Sequence, residues 1–329
     1  MPRLTEIGPL QTDDHILALV WSPDGTELAV TPATGQSVLV TPDGRVAGRV
    51  DGHALGNGQP AWFDGEWWTC GFDGRIRSQN GKTLPTGRGI IEKLSTSPDG
   101  GRLAAGQGKD LLVFDNAGAT DASLRGLPAA VADFAWNPSN PAEIATVGAG
   151  GARMFRLGES EPFARFDWGG ASLSVAWSPD GRWLVTGDQT PSVHLYDFTR
   201  DYPLHIQGYE TKVRAMAFSP DSRKLATGGS SVLTVWPCTG PSGPEGVTPV
   251  QLDGFDADVL VASFAPDGCQ AATGDDTGVL LFFTFDGDQV VRRRVRRDAG
   301  ISAIAWHPKD PLVAVGHNDG TMSLLVLEA

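Results

Sequence analysis

Large and small side chains alternate in eight short stretches of this chain, and each stretch ends in a polar turn. Pro23, Asp64, Pro98, Pro138, Pro179, Pro220, Pro266 and Pro308 serve as anchors. Two places before them stand Trp21, Trp62, Thr96, Trp136, Trp177, Phe218, Phe264 and Trp306. Three places before them stand Val20, Ala61, Ser95, Ala135, Ala176, Ala217, Ser263 and Ala305. Alternation at period two is strand geometry. None of these positions is charged, so both faces of each strand are predicted to be buried. The sequence that follows ends the strand in a tight reversal. It reads WSPDG at 21–25 and 177–181, TSPDG at 96–100 and FAPDG at 264–268, with looser copies at 62–66, 136–140, 218–222 and 306–310.

A second strand follows each turn, over 27–31, 67–71, 102–106, 143–147, 183–187, 224–228, 270–274 and 312–316, and most of them end in Gly. A third is clearest at 111–114, 193–196, 233–236 and 279–283, and a looser fourth at 163–166 and 290–295. The anchors are spaced 41, 34, 40, 41, 41, 46 and 42 residues apart. A repeat of that length is the size of one four-stranded propeller blade. The pattern therefore predicts an all-β fold: an eight-bladed β-propeller of four-stranded antiparallel blades, with residues 1–329 as one domain. Seven blades is the alternative, with the short second copy put to another use. The last copy stops after its third strand at 321–327, and residues 3–10 are free to supply the missing fourth and close the ring, leaving no exposed sheet edge. The Pro- and Gly-rich stretch 237–249 reads as a surface loop between the third and fourth strands of the sixth blade.

These residues resemble the WD-repeat propellers along essentially the whole chain. The SPDG turn, the Ala-Thr-Gly strand end and the Asp that closes the third strand are similar to that family. Phe114-Asp115 and Tyr196-Asp197 stand where the family places Trp-Asp, and Trp236-Pro237 keeps the Trp alone. The family's Gly-His pair stands in its place ahead of a first strand once, as Gly52-His53, and the family's turn Asp matches Asp73 and Asp319. The resemblance implies a protein-interaction scaffold, and implies that most blades lack the family's full hydrogen-bonded tetrad.

The net charge is −13, which repels nucleic-acid phosphates and anionic membranes and argues against both as general partners. Arg outnumbers Lys 20 to 6, a bias expected of a GC-rich bacterial genome. Cys70, Cys238 and Cys269 are far apart and odd in number, so reduced cytoplasmic thiols are expected rather than a disulfide framework. The first residues carry no apolar signal core, and no stretch approaches the roughly 20 apolar residues of a membrane span.

Chemistry is sparse. The six histidines form no metal-binding motif of adjacent spacing, and no nucleotide loop or nucleophile elbow occurs. The repeated Pro-Asp-Gly carboxylates read as turn formers. A non-enzymatic, monomeric scaffold with a protein partner and no cofactor is therefore expected. A small-ligand or metal-binding propeller, or a propeller enzyme, is the alternative. Loops leading into the first strands differ from blade to blade and form the expected docking face. Trp168, Tyr209, Lys212, Arg214 and Phe255, with Asp188, Gln189 and Asp275 from the neighbouring turns, have the composition of an interface hot spot. His15, His53 and His317, in loops of the same face, are the candidate metal ligands. Five arginines, Arg292, Arg293, Arg294, Arg296 and Arg297, fall on the outer strand of the seventh blade. They are read as a charged edge that blocks strand pairing, or else as a dock for an acidic partner.

Overall fold

The computed structural model describes residues 3–120, 123–286 and 289–328. Among them are 31 strands and no helix, hence no helix able to cross a membrane. The strands form eight antiparallel sheets, seven of them in chain order and the eighth joining the first strand of the chain to the last, and together they make an eight-bladed β-propeller. Blade 1 comprises Ile16–Trp21, Leu28–Pro32, Ser37–Val40 and Val46–Val50. Blade 5 comprises Ser172–Trp177, Trp183–Asp188, Ser192–Asp197 and Tyr202–Gln207. The short second copy is a blade in its own right: Ala61–Phe63, Glu66–Cys70, Ile76–Ser78 and Thr83–Leu84. It is short because Asp64-Gly65 makes a two-residue hairpin with both φ positive (52° and 70°) where other blades use the longer SPDG turn. Blade 3 keeps three strands, and its fourth is reduced to bridges at Leu111–Leu124 and Phe114–Thr120.

The chain divides into two compact units, residues 53–213 with blades 2 to 5, and residues 1–52 with 214–329, which hold blades 1, 6, 7 and 8. In the latter, Arg3–Gln11 pairs with Thr321–Glu328 as the fourth strand of blade 8, from Leu4 opposite Leu327 to Gln11 opposite Thr321. The 237–249 stretch links the third and fourth strands of blade 6, as expected.

The alternation of large and small side chains has a specific origin. The Trp of one blade donates its indole N–H to the backbone carbonyl of the small residue in the preceding blade. Trp136 reaches Ser95 (3.0 Å) and Trp177 reaches Ala135 (3.2 Å) in one unit. Trp306 reaches Ser263 (3.0 Å) and Trp21 reaches Ala305 (3.2 Å) in the other. A bulky side chain at the small position would block that approach. The Gly that ends the second strand has a similar cause. A Cβ on Gly316 would lie 2.5 Å from Ile16 of blade 1, and one on Gly274 would lie 2.4 Å from Ile301 of blade 8.

The SPDG turns are self-contained. Ser22 donates to Asp24 (2.7 Å) and accepts the N–H of Glu27, while Asp24 also accepts from Thr26. These bonds, that from Ser22 foremost, hold the Asp24 carboxyl at about 2. Ser97 with Asp99, Ser178 with Asp180 and Ser219 with Asp221 repeat the device. Those carboxylates are turn formers, as their repetition predicts.

Candidate functional site

Blade 5 holds a buried polar cluster centred on Asp188. Asp188 ends the second strand and is buried. Its Oδ1 accepts from Ser172 (3.0 Å) and Thr186 (3.1 Å), and its Oδ2 from Ser192 (3.1 Å) and His194 Nδ1 (2.7 Å). An ionised carboxylate only accepts, so the proton of that last bond sits on His194. His194 on the third strand lies directly opposite His205 on the fourth. Their rings stack with centroids 4.2 Å apart and planes 6° from parallel. Burial, reinforced by the neighbouring His194, pushes the His205 imidazole below its ordinary value. Trp168 packs on His194 at 5.0 Å, folds over Gly170 and donates to Ser172 (3.2 Å). An open cleft of about 390 Å³ runs along this group, lined also by Arg165, Asp167, Tyr196 and Pro203.

The loops leading into blades 2 and 3 are different in kind. Leu55 is 71% exposed, Ile90 47%, and Phe72, in the turn after the second strand of blade 2, 38%. Backbone bonds hold the three segments side by side: Phe72 N–H to Gly56 O (3.0 Å) and Ile91 N–H to Gly71 O (3.1 Å). Arg75 and Arg88 are exposed on the same segments, and neither has an ion-pair partner among the described residues.

Of the residues chosen from sequence as a hot spot, Trp168, Asp188, Gln189, Tyr209 and Lys212 lie in the unit 53–213, and Arg214, Phe255 and Asp275 in the other. Gln189, Lys212 and Arg214 are exposed, and Tyr209 is half-buried. Three of them, Phe255, Asp275 and Asp188, are buried, which corrects the expectation that they are offered at a surface. Phe255 is 8% exposed and packs with Phe283 in the apolar core of blades 6 and 7. Asp275 is fully buried and collects the N–H groups of Asp256, Ala257, Thr277 and Val279. Asp188 is saturated as described, and Trp168 packs against its own blade. A loop aromatic beside a glycine folds back as readily as outward, and sequence does not say which. Leu55, Phe72 and Ile90 were passed over because single apolar residues in loops carry no periodic signal.

Two of the three metal candidates are buried and hydrogen-bonded in the fold. His53 is buried, with Nδ1 on Asp73 (2.8 Å) and Nε2 beside Thr69 (3.1 Å), while Arg77 bonds the same Asp73 (2.9 Å). Here the Gly-His and turn-Asp resemblance forms its network as read from sequence. His317 is buried and donates to Ala299 O (3.4 Å), and His15 is exposed beside Asp14. The group of three possible ligands found among the described residues is instead Asp188, His194 and His205.

Burial pushes the His53 and His317 imidazoles below their ordinary values, against the pull of Asp73 on the first and of the Ala299 carbonyl on the second. Each is neutral in the fold at a pH where the unfolded chain is protonated, so unfolding takes up protons and acid favours it. Stability is therefore expected to fall as pH drops from about 7.5 through the unfolded histidine value of about 6.5 and on through the lower folded values. Urea midpoints measured across that range should decline in the native protein and decline less steeply in His317→Gln. An unchanged slope in the variant would remove His317 from this account.

The arginine strand is matched within its own unit. Arg292 bonds Asp253, Arg294 and Arg296 share Asp256 (2.8 and 2.6 Å), and Arg297 bonds Glu6 (2.9 Å). The strand thereby ties blade 7 to the loop after blade 6 and to the N-terminal strand, and much of its charge is already answered.

Comparison with known proteins follows the same lines. Residues 169–197, 201–237 and 291–324 match the family described as WD domain, G-beta repeat. The B-type cell cycle switch protein ccs52A of Medicago truncatula is 24% identical over 254 residues, 71% of this chain and 53% of that protein. Protein FIZZY-RELATED 1 of Arabidopsis thaliana matches to the same extent. WD repeat-containing protein VIP3 of Arabidopsis thaliana is 41% identical over 58 residues, 17% of this chain and 18% of that protein. The chain thus spans about half the length of the first of these relatives. Among solved structures, the computationally designed Ika8 protein superposes with a TM-score of 0.80 at 17% identity, over 96% of this chain and 98% of that one.

Proposed function

We propose that this WD-repeat β-propeller is a non-enzymatic scaffold, monomeric and cytoplasmic, that presents its leading loops to protein partners. The observation that carries the reading is the exposed apolar group Leu55, Phe72 and Ile90, flanked by unpaired Arg75 and Arg88. Large apolar side chains held outward on rigid loops are what a partner can desolvate, and they contribute most when ringed by polar residues. The flanking arginines, in a chain of net charge −13, favour a partner segment that carries apolar side chains next to acidic ones. The three cysteines are free, in keeping with a reducing compartment.

The test is affinity capture from the native cell, read by quantitative mass spectrometry. The variant Leu55→Ala/Phe72→Ala/Ile90→Ala is expected to lose the specific partners while melting within about 2 °C of the native protein, as exposed sites away from the core do. Trp168→Ala is expected to lower stability and leave capture intact. Capture unaltered in the triple variant would refute the assignment of this surface.

A further inference from the structure

We propose that Asp188, His194 and His205 form a binding site for a divalent transition-metal ion of the zinc class. One ligand atom from each lies within 4.8 Å of the other two. Two imidazoles and a carboxylate are a donor set suited to zinc and its neighbours, with bonds of about 2.0–2.2 Å.

The surroundings of each group point the same way. Asp188 is a buried carboxylate with no Lys or Arg beside it among the described residues. Its four bonds come from three hydroxyls and one imidazole, and hydroxyl groups bring no net charge. A buried anion with no cation beside it is costly, and a metal ion supplies the missing charge. His194 bonds only Asp188 and has its second nitrogen unpartnered among the described residues. His205 stands directly across the strand pair, where opposite Cβ atoms are about 4.5–5.5 Å apart. Parallel rings aim their lone pairs along parallel planes, so His205 must tilt to meet the same ion. It is exposed on the outermost strand, where Gln207 Nε2 lies 3.2 and 3.4 Å from its ring nitrogens, and that exposed contact must give way as the ring tilts. The rest of the coordination sphere opens on the cleft lined by Arg165 and Asp167, which leaves room for water.

Metal binding releases to solvent the proton held between His194 Nδ1 and Asp188, so that both groups offer a donor atom to the ion beside His205. His205 is the ligand that can be removed without disturbing the interior.

Untagged protein stripped with chelator and dialysed is titrated with zinc chloride by calorimetry and with cobalt chloride by visible absorption. The expected result is saturation at one ion per chain, with cobalt bands of nitrogen ligation and low coordination number. His205→Ala is expected to weaken binding by at least about tenfold without loss of fold, and His15→Ala to leave it unchanged. No saturable binding of either ion overturns the proposal, and so does saturable binding that survives His205→Ala.

Discussion

Deletion of residues 1–11 is expected to lower the melting temperature by roughly 4–7 °C, following a loss of about 3–5 kcal/mol. The strand Arg3–Gln11 supplies the fourth strand of blade 8. Its apolar residues divide between two cores. Ile7 and Leu10 pack against the cluster of Val38, Val40, Met322 and Leu324, and Leu4 against that of Leu325 and Leu327. Glu6 adds bonds to Ser323 (2.7 Å) and Arg297 (2.9 Å), which hold its carboxyl below the usual range in spite of partial burial. Without the strand, Thr321–Glu328 becomes a long apolar edge, which pairs readily with another chain. Calorimetry should therefore show a lower transition with concentration-dependent aggregation. A truncated protein that melts like the full chain would mean that blade 8 is complete with three strands. The variant Ile7→Ala/Leu10→Ala keeps the backbone pairing and should give a smaller fall, which separates packing from edge closure.

The fold was legible because its causes repeat. A Trp two places before the turn needs a small residue in the preceding blade to reach a carbonyl, and a strand-ending Gly needs a neighbour's side chain against it. Both requirements recur at several junctions within each unit, so they write a period into the sequence. The missing fourth strand of the last copy was legible by subtraction. The arginine strand was placed correctly, but its partners Asp253, Asp256 and Glu6 come from distant segments, and the neutralisation was not readable. The Asp188, His194 and His205 group was missed for a related reason. It depends on the register of the fourth strand of blade 5, which puts Tyr202 opposite Asp197 and so His205 opposite His194. That register is set by the turn after Asp197, where Asp201 has a φ of 50°, and a shift of one residue would send His205 to the other face. The exposure of Leu55 and the burial of Phe255 depend on how individual loops fold, for which no repeat offers a template.

Trp177→Ala is expected to cost about 3–5 kcal/mol, the cost of deleting a large buried aromatic and leaving a cavity. Trp177 is 7% exposed and lies in the core shared by blades 4 and 5, with Ala145, Val147, Met154 and Leu184. Its ring stacks on Phe198 at 4.9 Å and its indole donates to Ala135 O of blade 4. It therefore acts both as filler and as the hydrogen bond between two blades, and the two roles can be told apart. Trp177→Phe keeps an aromatic ring and removes the donor, so the share of the hydrogen bond should appear as about 1 kcal/mol, with a further small cost for lost volume. Blades 6 and 7 carry Phe218 and Phe264 at the equivalent place, so the fold tolerates a ring without the N–H. Equilibrium urea unfolding of the native protein and both variants measures the two terms. If Trp177→Phe costs as much as Trp177→Ala, the hydrogen bond rather than packing joins the blades. If Trp177→Ala costs less than about 1 kcal/mol, well short of the cavity expectation, the Trp of the repeat is not what binds one blade to the next.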